Sequence, residues 1–201
     1  EGKTSETYRL AYPDTNVWSN HLNYDAPYDQ HYFTHVAYNN YPVVGVSYNQ
    51  VLEFCKWRTD RVKEYFEVNP NESFPTNFSY RLPTKEEWEK VAVMGYSEKT
   101  KRVLEGKHKD SFRYNLKRKV PADGSTLNDD ADVTAPVKTY WPNKYGVYNL
   151  TGNVAEMVKE KGISKGGAWI HTEDDIAIEK NINYTKAECW LGFRCVFEVL
   201  D

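Results

Sequence analysis

Apolar positions along the chain fall into two helix-spaced runs and then into short bursts. Residues 1–40 show no sustained period and are dominated by Tyr, Asn, Asp and Pro, which reads as an irregular arm packed on a domain spanning 41–201. Tyr41-Pro42-Val43-Val44-Gly45-Val46 is a short apolar run that fits a buried strand. Ser47-Tyr48-Asn49-Gln50 then forms a capping box, in which hydroxyl and amide side chains satisfy free helix N–H groups. Val51, Phe54, Cys55, Val62, Tyr65 and Phe66 follow at helical spacing and predict an amphipathic helix of about five turns. The polar stretch 69–79 carries two prolines and reads as a loop. A second capping box, Thr84-Lys85-Glu86-Glu87, opens a helix with Trp88, Val91 and Ala92 on its apolar face and Gly95 as a stop. Residues 97–135 are polar, and beyond them lie bursts at Tyr145–Tyr148, Gly166–Trp169 and Gly192–Phe197. Two early helices followed by short strands and long loops predict an α+β fold with much irregular structure.

Composition changes this picture only a little. A chain of 201 residues suits one domain with an extended arm. Aromatic residues make up 15%, including 16 Tyr and 6 Trp, which favours a loop-rich fold whose gaps are filled by large rings. A net charge of −3 offers no attraction for nucleic acid or an anionic membrane. No apolar run approaches the ~20 residues that span a bilayer. The sequence starts at Glu1 without Met, so a signal peptide or lipid anchor upstream would be invisible in it. Three cysteines, Cys55, Cys189 and Cys195, allow one internal disulfide with one thiol left over.

Function enters through the order of local motifs. Pro42–Ser47 precedes the helix holding Phe54-Cys55-Lys56-Trp57, and Arg81-Leu82-Pro83-Thr84 leads into Glu86-Glu87-Trp88-Glu89. Asn149-Leu150-Thr151-Gly152-Asn153-Val154-Ala155-Glu156, Gly166-Gly167-Ala168-Trp169 and Gly192-Phe193-Arg194-Cys195 complete the series. Over residues 41–198 it resembles the formylglycine-generating-enzyme, or sulfatase-modifying-factor, family, whose members have a variant of the C-type-lectin fold. Tyr12-Pro13-Asp14-Thr15 and Leu127–Asp132 are similar, less specifically, to the gliding-motility and type IX secretion lipoproteins of Bacteroidetes-type bacteria.

The resemblance implies one or two calcium ions. Its first site falls on Asn115, the Leu116 carbonyl, Asp129 and the Ala131 carbonyl. The second falls on Asn149, the Gly152 and Val154 carbonyls, and Glu156. Both sets are all-oxygen with one formal negative charge, as suits a hard cation. The bland alternative is that Asp129 and Asn149 are turn residues bonding their own backbone.

The family's oxidase chemistry needs two cysteines five positions apart, a soft pair suited to Cu(I). Counted from Gly166-Gly167, the resemblance puts those positions at Ile176 and Asn181. The tryptophan of the family's calcium motif is Ala155 here, and the Asn before Leu-Gly-Phe-Arg-Cys is Trp190. The family's reaction is therefore expected to be absent. Trp169, Ile176, Asn181, Cys189 and Trp190 remain as a candidate groove. The resemblance also pairs Cys55 with Cys195, against the alternative of two buried reduced thiols. Cys189 has no neighbouring His to activate it and reads as a structural thiol.

These readings imply a non-catalytic, calcium-stabilised binding or structural module outside the cytoplasm, in the periplasm or at the outer membrane. Its partner would be a protein, peptide or glycan of the cell envelope. The alternative is a metal-dependent oxidase of the formylglycine-generating or non-haem iron class. His31 and His35 sit four apart, but their surroundings do not argue for a helix, so they read as packing or surface residues. The basic runs 99–109 and 113–119 read as solvated loop charges.

Overall fold

The computed structural model describes residues 6–22, 27–95, 114–117, 133–172 and 175–201. The capping box at Ser47 is present: its side chain accepts from the Gln50 N–H, and the Gln50 side chain accepts from the Ser47 N–H. It starts the longest helix, which we number α4 (Tyr48–Val68). Three short helices precede it, α1 (Glu6–Ala11), α2 (Val17–Leu22) and α3 (Tyr28–His31), with a 3-10 turn at Val36–Tyr38. The described part of the arm is thus helical rather than irregular. Its turns are too short to generate a period, and their anchors are rings: Trp18 is fully buried, with its ring centroid within 5.0 Å of both Tyr28 and Tyr32.

The second capping box is also present, with Thr84 N–H donating to Glu87 and Glu87 N–H donating to Thr84 Oγ1. It opens α5 (Lys85–Gly95). The buried faces are narrower than the sequence predicts. On α4 the row Val51, Cys55, Thr59 is buried while Phe54 and Tyr65 are exposed, and on α5 Trp88 and Ala92 are buried while Val91 is exposed. The reason is that α4 rests on a sheet of only two strands, β1 (Phe78–Arg81) paired antiparallel with β6 (Val196–Val199). Thr59 closes that contact by accepting from the Tyr80 N–H.

A second sheet has the order β4-β3-β2-β5, with β2 (Ala155–Met157), β3 (Ile163–Lys165), β4 (Ile182–Asn183) and β5 (Leu191–Phe193). Strand β2 is central and wholly buried, antiparallel to β3 and parallel to β5. The strand expected at 41–46 is absent: residues 43–46 run alongside β5 but turn left-handed at Gly45 (φ 70°). The bursts at 145–148 and 166–169 form no strand either, and the second carries two more left-handed glycines. This combination of short helices and short strands is the α+β class.

Candidate functional site

The centre of the molecule is the loop that feeds β2. Asn149, Gly152 and Asn153 all have positive φ, so the chain coils before extending into the strand. The coil brings Gly152 so close to the Asn115 backbone that a Cβ there would stand 2.6 Å from its carbonyl oxygen. Asn153 is the hub. Its side chain accepts from the Ala135 N–H (2.8 Å) and donates to the Ala135 carbonyl (3.0 Å), copying a strand pairing with an amide side chain. Its backbone N–H donates to the Asn115 carbonyl and its carbonyl accepts from Trp169 N–H. Reading the sequence for chemistry passed over Asn153; the signal was an Asn directly after Gly, a pair suited to left-handed turns.

Glu156, three residues on, is 4% exposed. Its Oε2 accepts from Trp88 Nε1 (2.7 Å) and Arg194 Nε (2.6 Å), and its Oε1 accepts from the other arm of the same guanidinium. Arg194 also donates to the Tyr148 carbonyl (2.9 Å), so it spans the two ends of the 148–156 loop. Of the second expected calcium set, Glu156 is thus already charge-compensated. An ion held by Asn149, Gly152, Val154 and Glu156 would share its only carboxylate with the Arg194 guanidinium, which is a poor fit. Asn149 itself donates from Nδ2 to the Val137 carbonyl (3.1 Å). Of the first set, Asn115 and Leu116 are buried, and Asn115 donates to the Val133 carbonyl. Asp129 and Ala131 lie outside the described residues.

Opposite Glu156 on β3 stands a buried cation. Lys165 has no exposed surface, and its Nζ donates to Glu89 (2.7 Å) and Asn181 (3.2 Å). Asn181 is therefore turned to the sheet, whereas Ile176 fills the space above Gly167, where a Cβ would come within 2.6 Å of its Cγ2. His171, five positions before Ile176, also lies against Gly167. Its Nδ1 accepts from the Ala168 N–H (3.0 Å) and its ring stands edge-on to Trp190 (5.2 Å). Burial holds the imidazole below its usual pKa. Trp169 is partly buried, stacked on Trp18 (6.3 Å), with His21 at its edge (5.4 Å). Trp169, Trp190 and Ile176 thus adjoin this region, and Asn181 faces away from it.

All three thiols are placed. Cys55 on α4 and Cys195 beside β6 have their sulfurs 3.4 Å apart, as two thiols in contact. Cys189 is buried among Trp18, Tyr32, Val44 and Val154, where desolvation pushes it up to about 12, so it is no thiolate near neutral pH. Among the described residues no three His, Cys, Asp or Glu side chains gather around a common point. The His31–His35 pair does lie on one helical turn, contrary to expectation, but His35 spends its Nδ1 capping the 3-10 turn at the Ala37 N–H. The shared turn comes from the α3 hydrogen bonds continuing to residue 35, which no periodic apolar face announces.

A family model for the sulfatase-modifying factor enzyme 1-like (FGE-sulfatase) domain matches residues 4–199. The chain belongs to this family. Its match takes in most of the segment read as an arm. Among curated proteins, the chain is 30% identical over 171 residues to the inactive C-alpha-formylglycine-generating enzyme 2 of Bos taurus, covering 77% of this chain and 50% of that protein. It is 31% identical over 122 residues to the formylglycine-generating enzyme of Thermomonospora curvata, covering 58% and 32%. The sulfatase-modifying-factor domain here thus spans about half the length, or less, of these relatives. Among solved structures, Treponema denticola variable protein 1 aligns with a TM-score of 0.56 at 19% identity, over 94% of this chain and 82% of that one. PvdO from Pseudomonas aeruginosa gives 0.53 at 21%, over 80% and 63%. At those identities the likeness speaks to the fold, which is consistent with a C-type-lectin-like variant.

Proposed function

We propose that this domain is a non-catalytic member of the sulfatase-modifying-factor family, acting as a binding or structural module outside the cytoplasm. One observation carries the reading: every thiol has a structural place away from Gly167. Cys55 and Cys195 face each other, Cys189 is a protonated core thiol, and the chain has no other cysteine. Without two soft ligands five positions apart, copper-dependent oxidation of a substrate thiol has no seat. The likeness to proteins named inactive agrees with this. The ligand in this reading is a protein, peptide or glycan of the cell envelope, met on the Trp169–Trp190 side. A relative named as a chaperone protein, LppX of Paenibacillus barcinonensis (25% identical), lends the protein-binding version some support.

The deciding assay incubates the copper-supplemented domain with a cysteine-containing sulfatase peptide and follows the peptide mass. Expected is an unchanged cysteine; turnover that disappears in a Cys189→Ser variant would overturn the proposal. Elemental analysis of protein purified without chelators addresses the metal. One calcium ion per chain belongs to the proposed module, whereas stoichiometric copper or iron would favour the alternative, a metal-dependent oxidase. An extracytoplasmic setting further predicts a Cys55–Cys195 bridge in the native protein. It would be seen as a 2-Da mass loss reversed by reductant, with a stability loss on reduction of about 4–5 kcal/mol in the chain-entropy model for so long a loop. Membership of the gliding-motility and type IX secretion lipoprotein branch belongs to the same proposal and is tested by cell fractionation.

A further inference from the structure

The turn that follows Gly167 is closed twice over by one residue. The His171 N–H donates to the Ala168 carbonyl (2.8 Å), and the Ala168 N–H donates back to His171 Nδ1 (3.0 Å). Ala168 is fully buried, so its N–H has no water to fall back on if that acceptor is lost. The His171 ring covers the edge of Trp190, and the carbonyl of His171 accepts from the Lys117 N–H (2.9 Å), so the turn is tied to two other segments. An imidazole that accepts at Nδ1 must be neutral there; protonation turns the acceptor into a second donor facing the first.

We propose that the Ala168–His171 turn is an acid-sensitive cover over Trp190, closed when the His171 imidazole is neutral and released when it takes a proton. Among the described residues, the charged neighbours do little to oppose this. Asp175 favours the proton and Lys180 disfavours it, but the two are paired with each other at 2.7 Å. The 114–117 segment meets His171 through the Lys117 backbone, and on the Trp190 side Cys189 is a neutral thiol while Glu188 faces Lys186 (3.9 Å). Burial favours the neutral, closed state by disfavouring the cation. The sign follows: the closed turn has its full stability above the usual imidazole value of ~6.5 and loses it progressively as pH falls through the lower folded value. This inference deepens the proposed binding role, because it makes access to the Trp190 side depend on pH.

Nitrogen-15 NMR between pH 7.5 and 5 tests it without any ligand, so a failed ligand screen and a failed switch are separate results. In the wild type, the His171 ring nitrogens, the Ala168 amide and the Trp190 indole are expected to titrate together. In His171→Asn, whose side-chain oxygen can occupy the Nδ1 position without titrating, the Ala168 and Trp190 signals should stay still. His21 stands beside Trp169, so the comparison is repeated in a His21→Asn background. An Ala168 amide that ignores the His171 titration, or that shifts equally in His171→Asn, overturns the proposal. Should His171→Asn not fold, amide exchange in the wild type decides. Ala168 protection, corrected for intrinsic rate, should fall roughly tenfold from pH 7 to 5 while the β2 amides stay protected; unchanged protection is the contrary result.

Discussion

The loop that feeds β2 and the segment that follows Gly167 lie side by side, yet they are held in opposite ways. Around β2 the bonds are long in sequence: Asn153 reaches back to Asn115 and Ala135, and Glu156 joins Trp88 to Arg194. After Gly167 they are mostly short: His171 closes on Ala168, Asp175 caps Thr172, and Lys180 pairs with Asp175. The segment's far end returns to the sheet through Lys165–Asn181 and the pairing of β4 with β3. The first arrangement cannot lose one member without stranding buried partners. The second can be rewritten a few residues at a time, which is how a family member can lose its chemistry and keep its fold.

Changes in the β2 loop should therefore be the costly ones. Glu156→Gln removes the buried charge that holds Arg194, whose side chain is 32% exposed, and should cost about 2–4 kcal/mol in urea unfolding, less than a fully buried pair. A cost below that of an exposed ion pair would mean that the pair is solvated. Asn153→Ala strands the Ala135 N–H and carbonyl together and should cost about 2–4 kcal/mol, read from the same transitions. Gly167→Ala combines a left-handed backbone with a contact against Ile176, so about 1–2 kcal/mol is expected. In an Ile176→Ala background the contact part should vanish and only the backbone part remain, a difference that a double-mutant cycle measures. Asp175→Asn should change stability by no more than about 0.5 kcal/mol, because its partner Lys180 is half exposed and the pair is screened. If it instead matched Glu156→Gln, the contrast between the two regions would fail.

What was legible in the sequence follows the same division. Both main helices announced themselves through capping boxes, because those are local patterns of hydroxyl and carboxamide or carboxylate. The family series was legible because its glycines and its Asn149–Glu156 stretch occupy positions that the backbone geometry demands. The arm's helices were not, since a six-residue helix anchored by one Trp has no period to detect. Nor were the exposed faces of Phe54 and Val91, which depend on how little sheet each helix meets. Lys165 was passed over because a lysine in a polar stretch reads as surface; its burial comes from Glu89 and Asn181, 76 and 16 residues away.

Gly152 and Gly166 sit where backbones cross with no room for a Cβ. The Gly152 N–H donates to the Gly166 carbonyl, and at Gly166 an added Cβ would stand 2.3 Å from the Leu150 carbonyl oxygen. These glycines are answerable to chain crossing and to nothing a substrate does. A lineage that abandons oxidation is released from its cysteines but not from them, so recognition by these glycines follows descent and folding long after activity has gone. Sorting workers from idle kin then depends on the positions where the family's cysteines are expected, which this chain fills with Ile176 and Asn181.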